Sequence, residues 1–276
     1  MISTLQIIVI AFAYVCLLFL IAYTSDKNKP RIISSHRKAL VYSFSLAIYC
    51  TSWTFYGAVG SAAKTGWGYL PIYLGPILIY TLGWPFLKRF ILIGHEQNTT
   101  SISDFIASRY GKSQAIAAIV TIIAVVAIIP YIALQLKAIT ASIQVFDAQQ
   151  QLFSDYHFNS FFITLLLIVF SILFGTRQLD VTEHQYGMMN AIAFESIIKL
   201  IAFCAVGSFA LYSIFDGPQN LLDTMLADEK LKQLWFHNID IENFITQTIL
   251  GAAAIICLPR QFHVTVVEYH QPKDIL

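Results

Sequence analysis

Seven apolar runs of roughly bilayer length, separated by short charged or breaker-rich connections, constrain this chain more than any other feature. They lie at about residues 3–23, 40–63, 68–90, 115–145, 158–174, 185–215 and 244–266. Soluble domains are roughly half apolar and a quarter charged, whereas here 57% of residues are hydrophobic and 12% charged. Within lipid, backbone N–H and C=O groups must find partners inside the chain, so runs of this length have to be helices. The sequence therefore predicts an all-α membrane protein with seven transmembrane helices, spanning residues 1–276 as one domain with no soluble domain.

The basic residues set an expected orientation. No Lys or Arg precedes the first run, while Lys27, Lys29, Arg31, Arg37 and Lys38 follow it. A cleaved signal would need a positive segment ahead of a shorter apolar core, so this reads as a retained helix with its N-terminus outside. Of the 17 Lys and Arg residues, Lys64, Lys230 and Lys232 fall on the expected outside, Lys137 and Lys199 fall within helices, and the rest fall inside, as does the C-terminus. A net charge of +1 gives no electrostatic footprint for nucleic acid, and none is expected as a partner. The lipid bilayer is.

The connections carry local signals. Residues 94–114 read GHEQNTTSISDFIASRYGKSQ, in which Ser101 and Asp104 have capping-box spacing ahead of Ile102, Phe105 and Ile106. A short amphipathic helix ending near Gly111 is expected there. Asn98 begins a glycosylation sequon, but on an inside loop it would be idle. Pro71, Gly75, Pro76, Gly83 and Pro85 predict that the third run packs closely or kinks, and Pro130 should bend the fourth. Residues 216–241 read as a polar outer loop, and the seventh run is interrupted at Pro259, Arg260 and Gln261. Cys16, Cys50, Cys204 and Cys257 stand singly in apolar segments and read as reduced, packed thiols. The histidines show no metal spacing, so no metal or other cofactor is expected. Gly66 and Gly68 make a GxG with no strand before it, which excludes a dinucleotide fingerprint.

The second run is not uniformly apolar. Its middle holds Tyr49, Thr51, Ser52, Trp53, Thr54 and Tyr56, followed by Gly57 and Gly60. One reading is a binding helix whose released carbonyls line a cavity. The other is a plain spanning helix with back-bonded hydroxyls and glycines that pack on a neighbour. Both stay open at this point. Glu195 and Lys199, four residues apart in the sixth run, form either an internal ion pair that fixes helix packing or a proton or substrate relay. Lys137 reads as a snorkelling residue near a helix end, and Gln135 is placed toward a cavity.

The stretches SLAIYCTSWTFYGAVGSAAKTGWGYLPIYLGP, NTTSISDFIASRYGKS, IPYIALQLKAI, FESIIKL and CLPRQFHVTVVE together resemble the sodium:solute symporter family. The resemblance is nearest to its branch fused to sensor histidine kinases, and it covers essentially the whole chain. It implies a core of two inverted five-helix repeats preceded by one extra helix. The chain would then hold the extra helix, the complete first repeat and the first helix of the second, as the N-terminal portion of such a domain. Transport by these residues alone is not expected.

In such folds the site lies where one broken helix from each repeat meets the other. The resemblance places the ion-coordinating carbonyls on Ala47 and Cys50 and an aromatic substrate contact on Trp53. Tyr49, Thr51, Tyr56, Gln135 and Gly251 complete the expected substrate side. Proline-type members carry an acidic residue at the position of Tyr49 and a glutamine at that of Leu258, so this chain departs from tight sodium coupling of that kind. The implied activity is transport or sensing of a small organic solute, an amino acid above all, with sodium or a proton as coupling ion. The alternative is a ligand-binding sensor domain of a two-component system without net transport. The implied setting is a bacterial inner membrane, and the implied partners are the rest of the domain and a cytoplasmic kinase. No catalytic motif lies in the chain itself, which has neither a phospho-accepting histidine module nor an ATP lid.

Overall fold

A computed structural model describes residues 4–27, 35–147, 161, 164–165, 168, 186–236 and 240–269. Among them the regular secondary structure is entirely helical, with twelve α-helices and no strand. They are α1 (Thr4–Lys27), α2 (Ser35–Ser45), α3 (Ser52–Thr65), α4 (Pro71–Tyr80), α5 (Trp84–Glu96), α6 (Ile102–Ser108), α7 (Gln114–Asp147), α8 (Tyr186–Phe209), α9 (Pro218–Ala227), α10 (Glu229–Phe236), α11 (Ile241–Cys257) and α12 (Pro259–Phe262). A 3-10 turn at Leu46–Tyr49 follows α2, and π-helical turns at Ala210–Ile214 and His263–Val267 extend α8 and α12.

Three stretches are long and apolar enough to cross a bilayer: Val9–Lys27 of α1, Gln114–Ser142 of α7, and Gly187–Ile214 of α8 with its π turn. Two bent pairs raise the number to five if each is one span, α4 with α5 at 69° and α11 with the Pro259–Val267 segment at 57°. Ile122 and Ile123 of α7 and Ile201 of α8 are each more than 60% exposed. Isolated exposed apolar residues are ordinary, but helices apolar all round belong in lipid. The molecule is thus read as a multi-pass membrane protein.

The breakers act where the sequence put them, with differences in detail. The third run splits at Thr81–Gly83 into α4 and α5, because Pro85 starts a new helix in its first turn. Pro130 lies within α7, which continues through it as one element. The seventh run breaks at Leu258, whose extended backbone (φ −70°, ψ 124°) is what a residue before proline favours. Residues 216–241, expected as a loop, hold α9 and α10. Pro218 opens α9, and Asp228 Oδ1 accepts from the amide of Lys230 at 2.8 Å at the start of α10. The run at 158–174 lies outside the described residues apart from Phe161, Thr164, Leu165 and Ile168, which are helical. The four cysteines are free as expected, but exposed rather than packed.

Close backbone approaches fix the helix pairs that frame the site. Helix α4 lies against α11. A Cβ on Gly75 would meet Ala252 N, Thr248 O and Gly251 C, so only glycine permits that crossing. Helix α1 lies against α8, where Gly187 is buried against Ala22 and Asp26 and its amide donates to Asp26 Oδ1 at 2.7 Å. Helix α2 also reaches α8, through Ser45 Oγ donating to Met189 O at 3.0 Å.

A buried apolar cluster joins α5, α6, α12 and the chain after it, through Leu87, Ile91, Ile102, Phe105, Phe262, Val266 and Tyr269. Phe90 packs against it, with ring centroids 4.3 Å from Phe105 and 5.8 Å from Phe262. The capping signal is realised in α6, where Ser101 Oγ accepts from Asp104 N at 3.1 Å. This cap starts the helix that carries Ile102 and Phe105 into the cluster.

Candidate functional site

The second apolar run is a broken helix. Helix α2 tightens into the 3-10 turn, the backbone becomes extended at Cys50 (φ −81°, ψ 111°) and Thr51 (φ −114°, ψ 177°), and α3 starts afresh at Ser52. Thr51 and Thr54 form a capping box across the new first turn, with Thr51 N donating to Thr54 Oγ1 at 3.1 Å. The threonines that interrupted the apolar pattern therefore stop and restart the helix, as short hydroxyl side chains do when they offer the backbone local partners.

A break inside a helix releases carbonyls that must find donors elsewhere. Here they come from two other helices. The Cys50 amide turns back to Ala47 O at 2.9 Å, leaving Leu46 O to accept from Gln261 Nε2 at 3.3 Å. Tyr49 O accepts from Arg260 Nη2 at 3.4 Å, and Cys50 O accepts from Lys199 Nζ at 3.3 Å. The interruption of the seventh run thus meets the interruption of the second.

Gln261 is the hub of that meeting. It is fully buried, and its Nε2 also lies 3.0 Å from Tyr80 Oη and 3.4 Å from Thr265 Oγ1. Since Leu46 O can only accept, the amide nitrogen must point there, which leaves Oε1 buried without a partner among the described residues. The π turn that follows is held by Tyr42, whose hydroxyl donates to Thr265 O at 2.8 Å. Arg260 lies over the ring of Tyr131 at 4.8 Å, and Tyr131 Oη donates to Thr51 Oγ1 at 3.3 Å. Helices α3, α7 and α12 are thereby tied to one point. Glu195 Oε1 pairs with Lys199 Nζ at 2.6 Å, a contact of residues four apart on α8, both partly exposed.

The expected site residues divide on this geometry. Tyr49, Cys50 and Thr51 lie in the break, and the two carbonyls expected to hold an ion, those of Ala47 and Cys50, each already accept a hydrogen bond from the chain. Tyr49 donates from its hydroxyl to Ile72 O at 3.4 Å, bridging to α4. Tyr56 Oη is 2.6 Å from Ser142 Oγ, joining α3 to α7. Trp53 sits in the first turn of α3, its side chain lying outside the described residues. Gln135 follows Tyr131 by one helical turn on α7 and is half-buried. Gly251 is buried against Pro71 and Gly75 of α4, in a helix crossing rather than in the break.

Arg260 and Gln261 are functional candidates that sequence reasoning read only as an interruption. The signal was present: a cation and an amide directly after a proline, inside an apolar run, have to be paired. Among the described residues no group of His, Cys, Asp and Glu could hold a metal ion. The arrangement is a cluster of main-chain oxygens, one guanidinium, one ammonium and phenolic hydroxyls at the junction of two broken helices. No protein-family model matches the chain, and neither a curated protein nor a solved structure shows significant similarity to it.

Proposed function

We propose that this chain is the solute-recognising part of a transporter-like membrane domain, with its ligand held where the two interrupted spans meet. The observation that carries this reading is the set of bonds from Arg260 and Gln261 of the second interruption to the Tyr49 and Leu46 carbonyls of the first. Unwound backbone at membrane depth is tolerated where it is buried in protein or lines a cavity. Keeping released carbonyls, a guanidinium and an ammonium in an apolar layer is costly, and ligand recognition is the use that offsets that cost.

Arg260 favours a ligand with a carboxylate. Its contact with Tyr49 O is long at 3.4 Å, while a planar guanidinium stacked on Tyr131 retains donors for a second, charged acceptor. An amino acid is the simplest solute of that kind. In the full arrangement the seven apolar runs cross a bacterial inner membrane, with the N-terminus outside and the C-terminus inside. The chain is the N-terminal portion of a sodium:solute symporter-like domain, and longer relatives would pass its occupancy to a cytoplasmic histidine kinase.

The test uses the natural full-length protein in lipid nanodiscs and proteoliposomes, with a panel of amino acids. A ligand present at about 100 times its Kd stabilises the folded state by about 2.7 kcal/mol, so one panel member should raise the melting temperature measurably. Gradient-driven, saturable uptake of that amino acid establishes transport, and stabilisation without uptake establishes sensing alone. If no amino acid stabilises the protein and Arg260→Ala leaves every melting curve unchanged, the reading fails.

A further inference from the structure

Lys199 stands apart from the other donors at the break, because it comes from a helix that is itself unbroken at that point. It reaches across from α8 to place its ammonium 3.3 Å from Cys50 O and 2.6 Å from Glu195 Oε1. In a continuous helix Cys50 O would accept from the amide of residue 54, but the extended backbone at Thr51 carries the chain away. A carbonyl released in this manner and a carboxylate are two hard oxygen ligands of the kind a small mobile cation takes. Here that position is taken by a cation fixed to the chain.

We infer that Lys199 is a tethered counter-cation that replaces a mobile alkali cation at the broken helix, so that the site is held in register without sodium. The physical argument is one of charge and geometry. Glu195 lies on a helix long and apolar enough to cross a bilayer and there needs a positive partner, and the Cys50 carbonyl needs a donor. One ammonium supplies both, since it carries three N–H donors on a stem long enough to cross from α8 to the break. Arg260 of α12 serves the neighbouring Tyr49 carbonyl, so a mobile cation entering beside Cys50 O would meet two positive groups, Lys199 and Arg260. The inference rests on the solute-binding reading for its meaning in coupling, but its test needs no solute, so the two can fail separately.

The experiment compares melting of the full-length protein in nanodiscs in sodium chloride and in choline chloride at equal ionic strength, alongside equilibrium binding of radioactive sodium. The wild type should melt at the same temperature in both salts and bind no sodium saturably. Lys199→Ala opens the position while keeping Glu195 and Cys50 O, and it should gain a sodium-specific rise of roughly 2–4 °C. Lys199→Arg keeps a fixed cation and should behave as the wild type. Saturable sodium binding or a sodium-specific rise in the wild type would overturn the inference, and that arm holds even if Lys199→Ala does not fold. A folded Lys199→Ala protein that gains no sodium response would overturn it as well.

Discussion

Gln261 illustrates how one side chain can decide whether an interrupted span is stable. With Nε2 on Leu46 O and Tyr80 Oη, it satisfies a carbonyl that no helix serves. Replacing it by Leu keeps the volume but leaves that carbonyl buried and unpaired, which costs about 1–3 kcal/mol. Thermal melting in nanodiscs should fall accordingly, and a variant as stable as the wild type would show that water or a neighbour already serves Leu46 O. Arg260→Lys is a subtler test at the same scale. It keeps the charge but loses the flat stack on Tyr131 and should weaken ligand-induced stabilisation more than it lowers the basal melting temperature. The sequence announced these residues as an anomaly in an apolar run. It could not name the carbonyls they serve, because Leu46 and Gln261 are brought together only by long-range packing.

Between elements, the crossing of α4 and α11 depends on the missing Cβ of Gly75, and the start of α6 depends on a hydroxyl. Gly75→Ala places a methyl against Ala252 N and Thr248 O, so the helices must separate. Overpacking of this sort costs roughly 1–3 kcal/mol. The expected result is a lower melting temperature together with weaker cross-linking between cysteines placed on α4 and α11. Ser101→Ala should act locally. Removing an N-cap costs about 1 kcal/mol, so amide exchange should rise across Ile102–Ser108 while α7 and α8 keep their protection. Both elements were legible in outline, since breakers marked the third run and Ser101 with Asp104 marked the α6 cap. The helices at Pro218–Ala227 and Glu229–Phe236 were not, because their polar composition resembles a loop when read without its partners, such as the Trp67 ring that meets Trp235 at 5.2 Å.

For the whole molecule, the distribution of Lys and Arg predicts sidedness that chemical labelling can check directly. With the native cysteines replaced by serine, single cysteines at Lys64 or Lys230 should react with a membrane-impermeant maleimide added outside intact cells. Cysteines at Lys88 or Lys112 should react only after permeabilisation, and the reverse pattern would invert the topology. That the chain is helical and belongs in lipid follows from the sequence by itself, because apolar runs of bilayer length leave the backbone no other way to pair its polar groups. The breaks at Pro85 and Pro259 were also written there, since local backbone preferences act over a few residues, whereas the second run was left open between a broken and a plain spanning helix. The tertiary structure alone decided that the two breaks meet, that Lys199 and Arg260 serve neighbouring carbonyls, and that Gly251 belongs to a helix crossing. Such contacts join residues up to 223 positions apart, and what selects them is the packing of whole helices, for which no local pattern in the chain is a signature.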